Sequence, residues 1–105
     1  MRVLVVGVLL LTAAPVAAQD GEAIVEGENL AVEYCARCHA IGDAENSPHK
    51  EAPPFRTLLE HYPVAELAES LAEGIASGHP DMPEFVFEPD EVGALIAYLQ
   101  SIQPM

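Results

Sequence analysis

The sequence predicts an all-α fold of three main helices joined by irregular loops. Apolar and small residues recur at three- and four-residue spacing in three segments, and proline- and glycine-rich stretches separate those segments. The one β-prone run, Phe85-Val86-Phe87, is too short to indicate a sheet. A chain of 105 residues has the size of one small domain.

Residues 1–18 have the pattern of a secretory signal peptide. A retained membrane anchor is the alternative, but a membrane span needs about 20 apolar residues, and Pro15 interrupts the end of this run. We therefore expect cleavage after about Ala18, export to the periplasm and a single mature domain over residues 19–105. The elements of the signal are the charge of Arg2, the apolar run 3–11 and the small-residue site Val16-Ala17-Ala18.

The first helix is predicted over about residues 21–40. Asp20 suits its N-cap, and Gly42 lies where the helix would stop. Its helical periodicity is set by Ala23, Gly27, Leu30, Tyr34 and Cys38.

Residues 42–56 are predicted to form a loop, because proline recurs there among small polar and charged residues. A second helix is predicted to begin near Pro63, and Gly78 follows its end. Its buried stripe is expected to consist of Val64, Leu67, Ala68, Leu71 and Ile75.

The last helix is predicted to begin at Pro89, after an irregular segment over residues 78–87, and Pro104 ends it. Two acids in its first turn suit the helix dipole. One face is expected to carry Val92, Leu95, Leu99 and Ile102, with Tyr98 beside it.

Cys35-Ala36-Arg37-Cys38-His39 contains both cysteines of the chain. C-x-x-C-H is typical of a c-type haem attachment site. Two thiols at this spacing can form thioethers with the two vinyl groups of one porphyrin, and the next residue can place an imidazole under the iron. The motif therefore predicts one covalent haem c bound by Cys35 and Cys38, with His39 as an iron ligand.

Two other interpretations of the cysteine pair are weaker. A C-x-x-C redox disulfide normally follows a strand in a βαβ unit, and no strand-like segment precedes Cys35 in the predicted mature chain. A structural zinc ion needs four ligands, and the chain has no second cysteine pair.

Met82 is the candidate for a second axial ligand. It is the one internal methionine of the predicted mature chain, and prolines bracket it in His79-Pro80-Asp81-Met82-Pro83. A thioether is a soft, weak donor, and His/Met ligation raises the reduction potential of a haem. The alternatives are that Met82 fills the core, or that His79 in the same loop is the ligand.

With these motifs in place, the chain resembles a class I cytochrome c of the small bacterial type. The resemblance rests on residues 35–39, 52–55, 78–85 and 95–99. It implies a cytochrome c-like domain whose helices and loops wrap around one covalent haem, with His39 and Met82 as axial ligands. It also implies that the Pro53 carbonyl accepts the proximal imidazole N–H.

The resemblance further places Gly27 and Tyr98 where the first and last helices cross. The chain departs from the family by having no Trp at the haem propionate. Arg56, Tyr62 or His61 could replace it, with Arg56 the best electrostatic choice. The lysine-rich face of mitochondrial-type members is also missing, so their partner is not carried over.

The predicted mature chain has three cations against 17 acids, a formal charge of −14. This charge argues against nucleic acid and anionic lipid surfaces as partners. It is compatible with redox partners that have a basic docking surface, or with a role in solubility alone.

The sequence favours a periplasmic electron carrier over an enzyme, because no catalytic constellation accompanies the predicted haem. A haem subunit of a larger redox enzyme would have almost the same sequence. A ligand sensor or peroxidase-like enzyme would require an open sixth iron site, with Met82 not bound.

Overall fold

The computed structural model describes residues 1–12, 16–74 and 81–104, with the backbone alone at 16–19. The predicted all-α fold is confirmed, since no strand occurs in these ranges. Ile75, Gly78, His79 and Pro80, which the predictions above invoke, lie outside the described residues. The helices within the described ranges are α1 (Val16–Tyr34), α2 (Phe55–His61), α3 (Val64–Glu73) and α4 (Pro89–Ser101).

The predicted bounds of the first helix are wrong at both ends. Asp20, the expected N-cap, lies inside α1, because the alanine-rich sequence just before it also favours a helix. At the other end the chain leaves the regular helix after Tyr34. The backbone N–H groups of Cys38 and His39 both donate to the Cys35 carbonyl, at 3.1 and 2.9 Å, so the motif forms a tight turn.

Helix α2 is a short helix that the periodicity does not reveal. It begins directly after Pro54, and at seven residues it is too short for a recognisable apolar stripe. Phe55 and Leu58 are buried and attach it to the core.

Helix α3 begins after Pro63 as predicted and buries Leu67 and Leu71. It ends earlier than expected, because Gly74 follows with φ 107°. This left-handed backbone region suits glycine and ends the helix before residue 75.

Helix α4 has the predicted start at Pro89. The Glu88 backbone N–H donates to Glu91 Oε1 at 3.0 Å and caps the first turn. Four predicted core residues are buried on α4, namely Val92, Leu95, Tyr98 and Leu99.

Helices α1 and α4 cross with their backbones in close contact. A Cβ atom at Gly27 would lie 2.6 Å from the Ala94 carbonyl carbon and 2.7 Å from Tyr98 Cβ. Only glycine fits there, which agrees with the place that the family resemblance gives Gly27 and Tyr98. The Tyr98 hydroxyl donates to the Ile41 carbonyl and attaches the loop after α1 to α4.

The N-terminal apolar run contributes nothing to this core. Its Val and Leu side chains between residues 3 and 11 are 80–89% exposed. Among the helices described, none combines the length and the apolar composition needed to cross a membrane.

Candidate haem site

A cleft of about 720 Å³ lies between the turn after α1, helices α2, α3 and α4, and the segment before α4. This volume lies within the range of about 300–1,000 Å³ that is usual for cofactor sites. The residues predicted to hold the haem come together here, since the cleft is lined by Cys35, Cys38, His39, Pro53 and Met82.

The His39 ring is held by a hydrogen bond from Nδ1 to the Pro53 carbonyl at 2.8 Å. A carbonyl only accepts, so Nδ1 carries the proton and the Nε2 lone pair is the one available to a metal. The ring also packs on Phe55, with centroids 5.1 Å apart. The structure therefore holds the His39 ring in one orientation and one tautomer, with Nε2 free to bind a metal.

The two cysteines are partly buried and form no disulfide with each other. Burial raises the pKa of the Cys35 thiol to about 11. Redox-active C-x-x-C cysteines have a lowered pKa, so this environment is the opposite of the one a redox disulfide requires. The zinc alternative also gains no support, because no group of three or more His, Cys, Asp or Glu in the described ranges could hold a metal ion.

Met82 is partly buried and belongs to a segment that aromatic side chains hold in place. Phe85 and Phe87 each lie 5.5 Å from the Tyr34 ring at the end of α1. The Phe87 N–H donates to the Leu71 carbonyl of α3 at 3.0 Å. The alternating Phe-Val-Phe pattern is thus not a strand, but places two rings against α1 and leaves Val86 exposed.

The cleft walls are largely apolar, and they include residues that the sequence assigns simply to the core. Walls of this kind, combined with two thiols, an oriented imidazole and a thioether, fit an apolar macrocycle with a central iron. The buried apolar residues of the lining are Phe55, Leu58, Leu67, Leu71, Phe87, Leu95 and Leu99.

Arg56 does not line the cleft. Its Nη1 donates to the Glu45 carbonyl at 2.6 Å, and Glu45 Oε1 accepts from the Gly42 N–H at 2.6 Å. Hydrogen bonds from the backbone N–H groups of Glu45 itself and of Gly42 lower the pKa of the Glu45 carboxyl. Arg56 therefore closes the turn after α1, and its expected contact with a haem propionate gains no support.

Tyr62 lines the cleft, whereas Arg56 does not. Of Arg56, Tyr62 and His61, it alone is among the lining residues. His49 and Asp81 also line the cleft, although the sequence analysis assigns neither of them to the site. They are separated by 32 residues, so local sequence patterns hold no signal for their proximity.

Comparison with known proteins agrees with this geometry. Residues 22–99 match the family described as cytochrome c oxidase, cbb3-type, subunit III. Cytochrome c-552 of Bradyrhizobium diazoefficiens is 30% identical over 78 residues, which cover 74% of this chain and 73% of that protein. No solved structure matches the chain.

The family match includes the C-x-x-C-H turn, every residue of the cleft lining and the crossing of α1 with α4. The cofactor is covalently bound haem c, and the chain is an electron carrier that exchanges electrons with redox partners. The chain belongs to the c-type cytochrome family.

Proposed function

We propose that the chain is an exported periplasmic electron carrier with one haem c, attached by Cys35 and Cys38 and ligated by His39 and Met82. The observation that supports this most strongly is that all four side chains line one cleft. Bound there, the haem supplies reversible one-electron chemistry of its iron.

His39 is proposed as the proximal ligand through Nε2. The hydrogen bond from its Nδ1 to Pro53 fixes the ring orientation and increases the basicity of the other nitrogen. Met82 is proposed as the second axial ligand, because it is the thioether of the cleft lining. A soft sulfur donor stabilises the ferrous state and raises the potential.

The proposed role is transfer of electrons alone, without a substrate. If His39 and Met82 both bind the iron, the protein would leave no position on it open to a small molecule. A sensor or peroxidase-like role would require Met82 to be displaced. The apolar walls would lower the dielectric around a haem bound there.

The acidic surface is proposed to guide docking on a basic partner. Four exposed acids belong to the cleft lining, where a redox partner would approach. These acids are Glu33, Glu51, Glu66 and Asp81. Opposite charge on a partner surface increases the rate of productive encounter.

Residues 1–18 are proposed to be removed on export, leaving residues 19–105 as the mature domain. The exposure of the apolar run supports this, because its loss removes no core contact. Cleavage after about Ala18 would shorten α1 at its N-terminal end and leave its crossing with α4 intact. The N-terminal residue of the protein isolated from the periplasm tests this directly.

A second candidate function is a haem subunit of a larger redox enzyme. The description of the matching family, which names an oxidase subunit, favours this alternative. Isolation from native membranes and periplasm without overexpression separates the two. A free carrier is recovered alone in the periplasmic fraction, whereas a subunit is recovered with catalytic partners.

Absorption spectra of the periplasmic protein, oxidised and reduced, with and without carbon monoxide, test the proposed function. A six-coordinate carrier gives low-spin spectra in both states and no spectral change with carbon monoxide. A high-spin ferrous spectrum with rapid carbon monoxide binding would contradict the proposal and indicate an open sixth site.

A further inference from the structure

The rim of the cleft has a polar pair that the proposed ligation does not use. His49 Nε2 lies 3.2 Å from Asp81 Oδ2. His49 belongs to the loop between α1 and α2, and Asp81 belongs to the segment before α4. The pair therefore joins two separate parts of the chain that both line the cleft.

His49 is hydrogen-bonded to the turn that contains the haem attachment motif. Its backbone N–H donates to the Cys38 carbonyl at 3.0 Å. Its ring accepts at Nδ1 from the Glu51 N–H at 3.2 Å. Because Nδ1 accepts, Nε2 carries the proton and donates to the Asp81 carboxylate.

Asp81 directly precedes Met82 in the chain. Holding the Asp81 carboxylate therefore restricts the backbone one residue from the proposed iron ligand. We propose that His49 and Asp81 are positioning residues, whose hydrogen bond clasps the Met82 segment to the side of the cleft that holds His39. This inference rests on the proposed function, in which Met82 is the second axial ligand.

The exposure of the two side chains indicates which property of the protein their loss should change. The side chains of His49 and Asp81 are 30% and 66% exposed, and a pair so accessible to water contributes little to global stability. Its loss acts instead on local opening of the Met82 segment. Met82 and an added ligand such as imidazole would compete for the same position on the iron. When the Met82 segment opens more often, Met82 competes less well, so the added ligand binds more tightly.

Titration of the oxidised haem protein with imidazole tests the clasp. We expect Asp81→Ala and His49→Ala each to raise the affinity for imidazole about fivefold, which corresponds to about 1 kcal/mol. The two effects should be less than additive in the double variant, because the two side chains share one hydrogen bond. Asp81→Asn retains an acceptor oxygen and should restore most of the wild-type behaviour.

Glu69→Ala is the matched control. It removes one exposed carboxylate from α3, outside the cleft lining, and should leave imidazole affinity unchanged. The thermal unfolding midpoints of the single variants should stay close to that of the wild type.

Unchanged imidazole affinity in Asp81→Ala, or fully additive effects in the double variant, would overturn the clasp. Met82→Ala provides a separate check on the ligand itself, since it should bind imidazole far more tightly than the wild type. If Met82→Ala binds imidazole as the wild type does, the proposed ligation fails, whatever the clasp variants show.

Discussion

The backbone of Gly27 in α1 lies directly against the Ala94 carbonyl of α4. A Cβ at Gly27 would approach the Ala94 carbonyl carbon to 2.6 Å, and backbone atoms cannot move aside as a flexible side chain can. A side chain at this position would therefore force the two helices apart.

We expect Gly27→Ala to reduce the free energy of unfolding by about 1–3 kcal/mol, the usual cost of overpacking. Gly93→Ala is the matched control, because a Cβ at Gly93 in α4 meets nothing within 4 Å. This control should gain about 0.5–1 kcal/mol from its better helix propensity. Denaturant unfolding of the haem protein measures both, and equal effects would contradict the close crossing.

The Tyr98 hydroxyl is expected to contribute both to stability and to its pH dependence. It donates to the Ile41 carbonyl, and Tyr98→Phe should cost about 1 kcal/mol by removing that bond. Burial raises the pKa of Tyr98, so folding favours its neutral form. That contribution is fully present below the unfolded pKa of about 10 and is lost as pH rises through the higher folded pKa.

The stability difference between wild type and Tyr98→Phe should therefore be constant near neutral pH and shrink above about pH 10. Urea unfolding at several pH values measures it. A difference that grows with alkaline pH would show that the hydroxyl is not held as a donor.

The effect of surface charge on the rate of electron exchange is expected to depend on where each charge lies as well as on the net charge. Exchange of electrons with a basic redox protein should slow as salt rises, because exposed charges are screened over about 8 Å at physiological ionic strength. Glu66→Lys reverses a charge in the cleft lining, whereas Glu69→Lys makes the same change on α3 outside it.

Stopped-flow rates should fall more in Glu66→Lys than in Glu69→Lys at low salt and converge at high salt. A rate that does not change with salt, or equal effects of the two substitutions, would indicate that the acidic residues contribute to solubility and not to docking.

The helices with clear sequence signals were predictable. Pro63 and Pro89 mark the starts of α3 and α4, because proline suits the beginning of a helix and disrupts its interior. Helix α2 is not predictable from the sequence, because it depends on burying Phe55 and Leu58, a tertiary effect with no periodic pattern. The end of α1 was missed because Cys38 continues the apolar spacing while its backbone has already turned.

The site could be predicted where its chemistry is local in sequence. The motif fixes Cys35, Cys38 and His39 within five residues, and the structure brings them to one cleft with Met82. Charge alone favours Arg56 as the propionate contact, but its position on α2 directs it to the Glu45 carbonyl. The His49–Asp81 pair depends on the fold and has no sequence signature.

Covalent attachment should depend on both cysteines. The double variant Cys35→Ser, Cys38→Ser should lose all haem under denaturing electrophoresis and acid–acetone extraction, because serine forms no thioether. Each single variant retains one thiol and should keep at most one covalent link. Peptide mass spectrometry gives the attachment sites, and haem retained by the double variant would refute the assignment of the motif.

The near-red absorption spectrum of the oxidised protein tests the central claim most directly, which is that His39 and Met82 ligate the haem iron in this cleft. We predict the weak charge-transfer band of iron–sulfur ligation in the wild type. Met82→Ala should abolish this band and lower the reduction potential, because the soft thioether no longer stabilises the ferrous state. A band that persists in Met82→Ala, or that is missing from the wild type, would contradict the account and place the second ligand elsewhere.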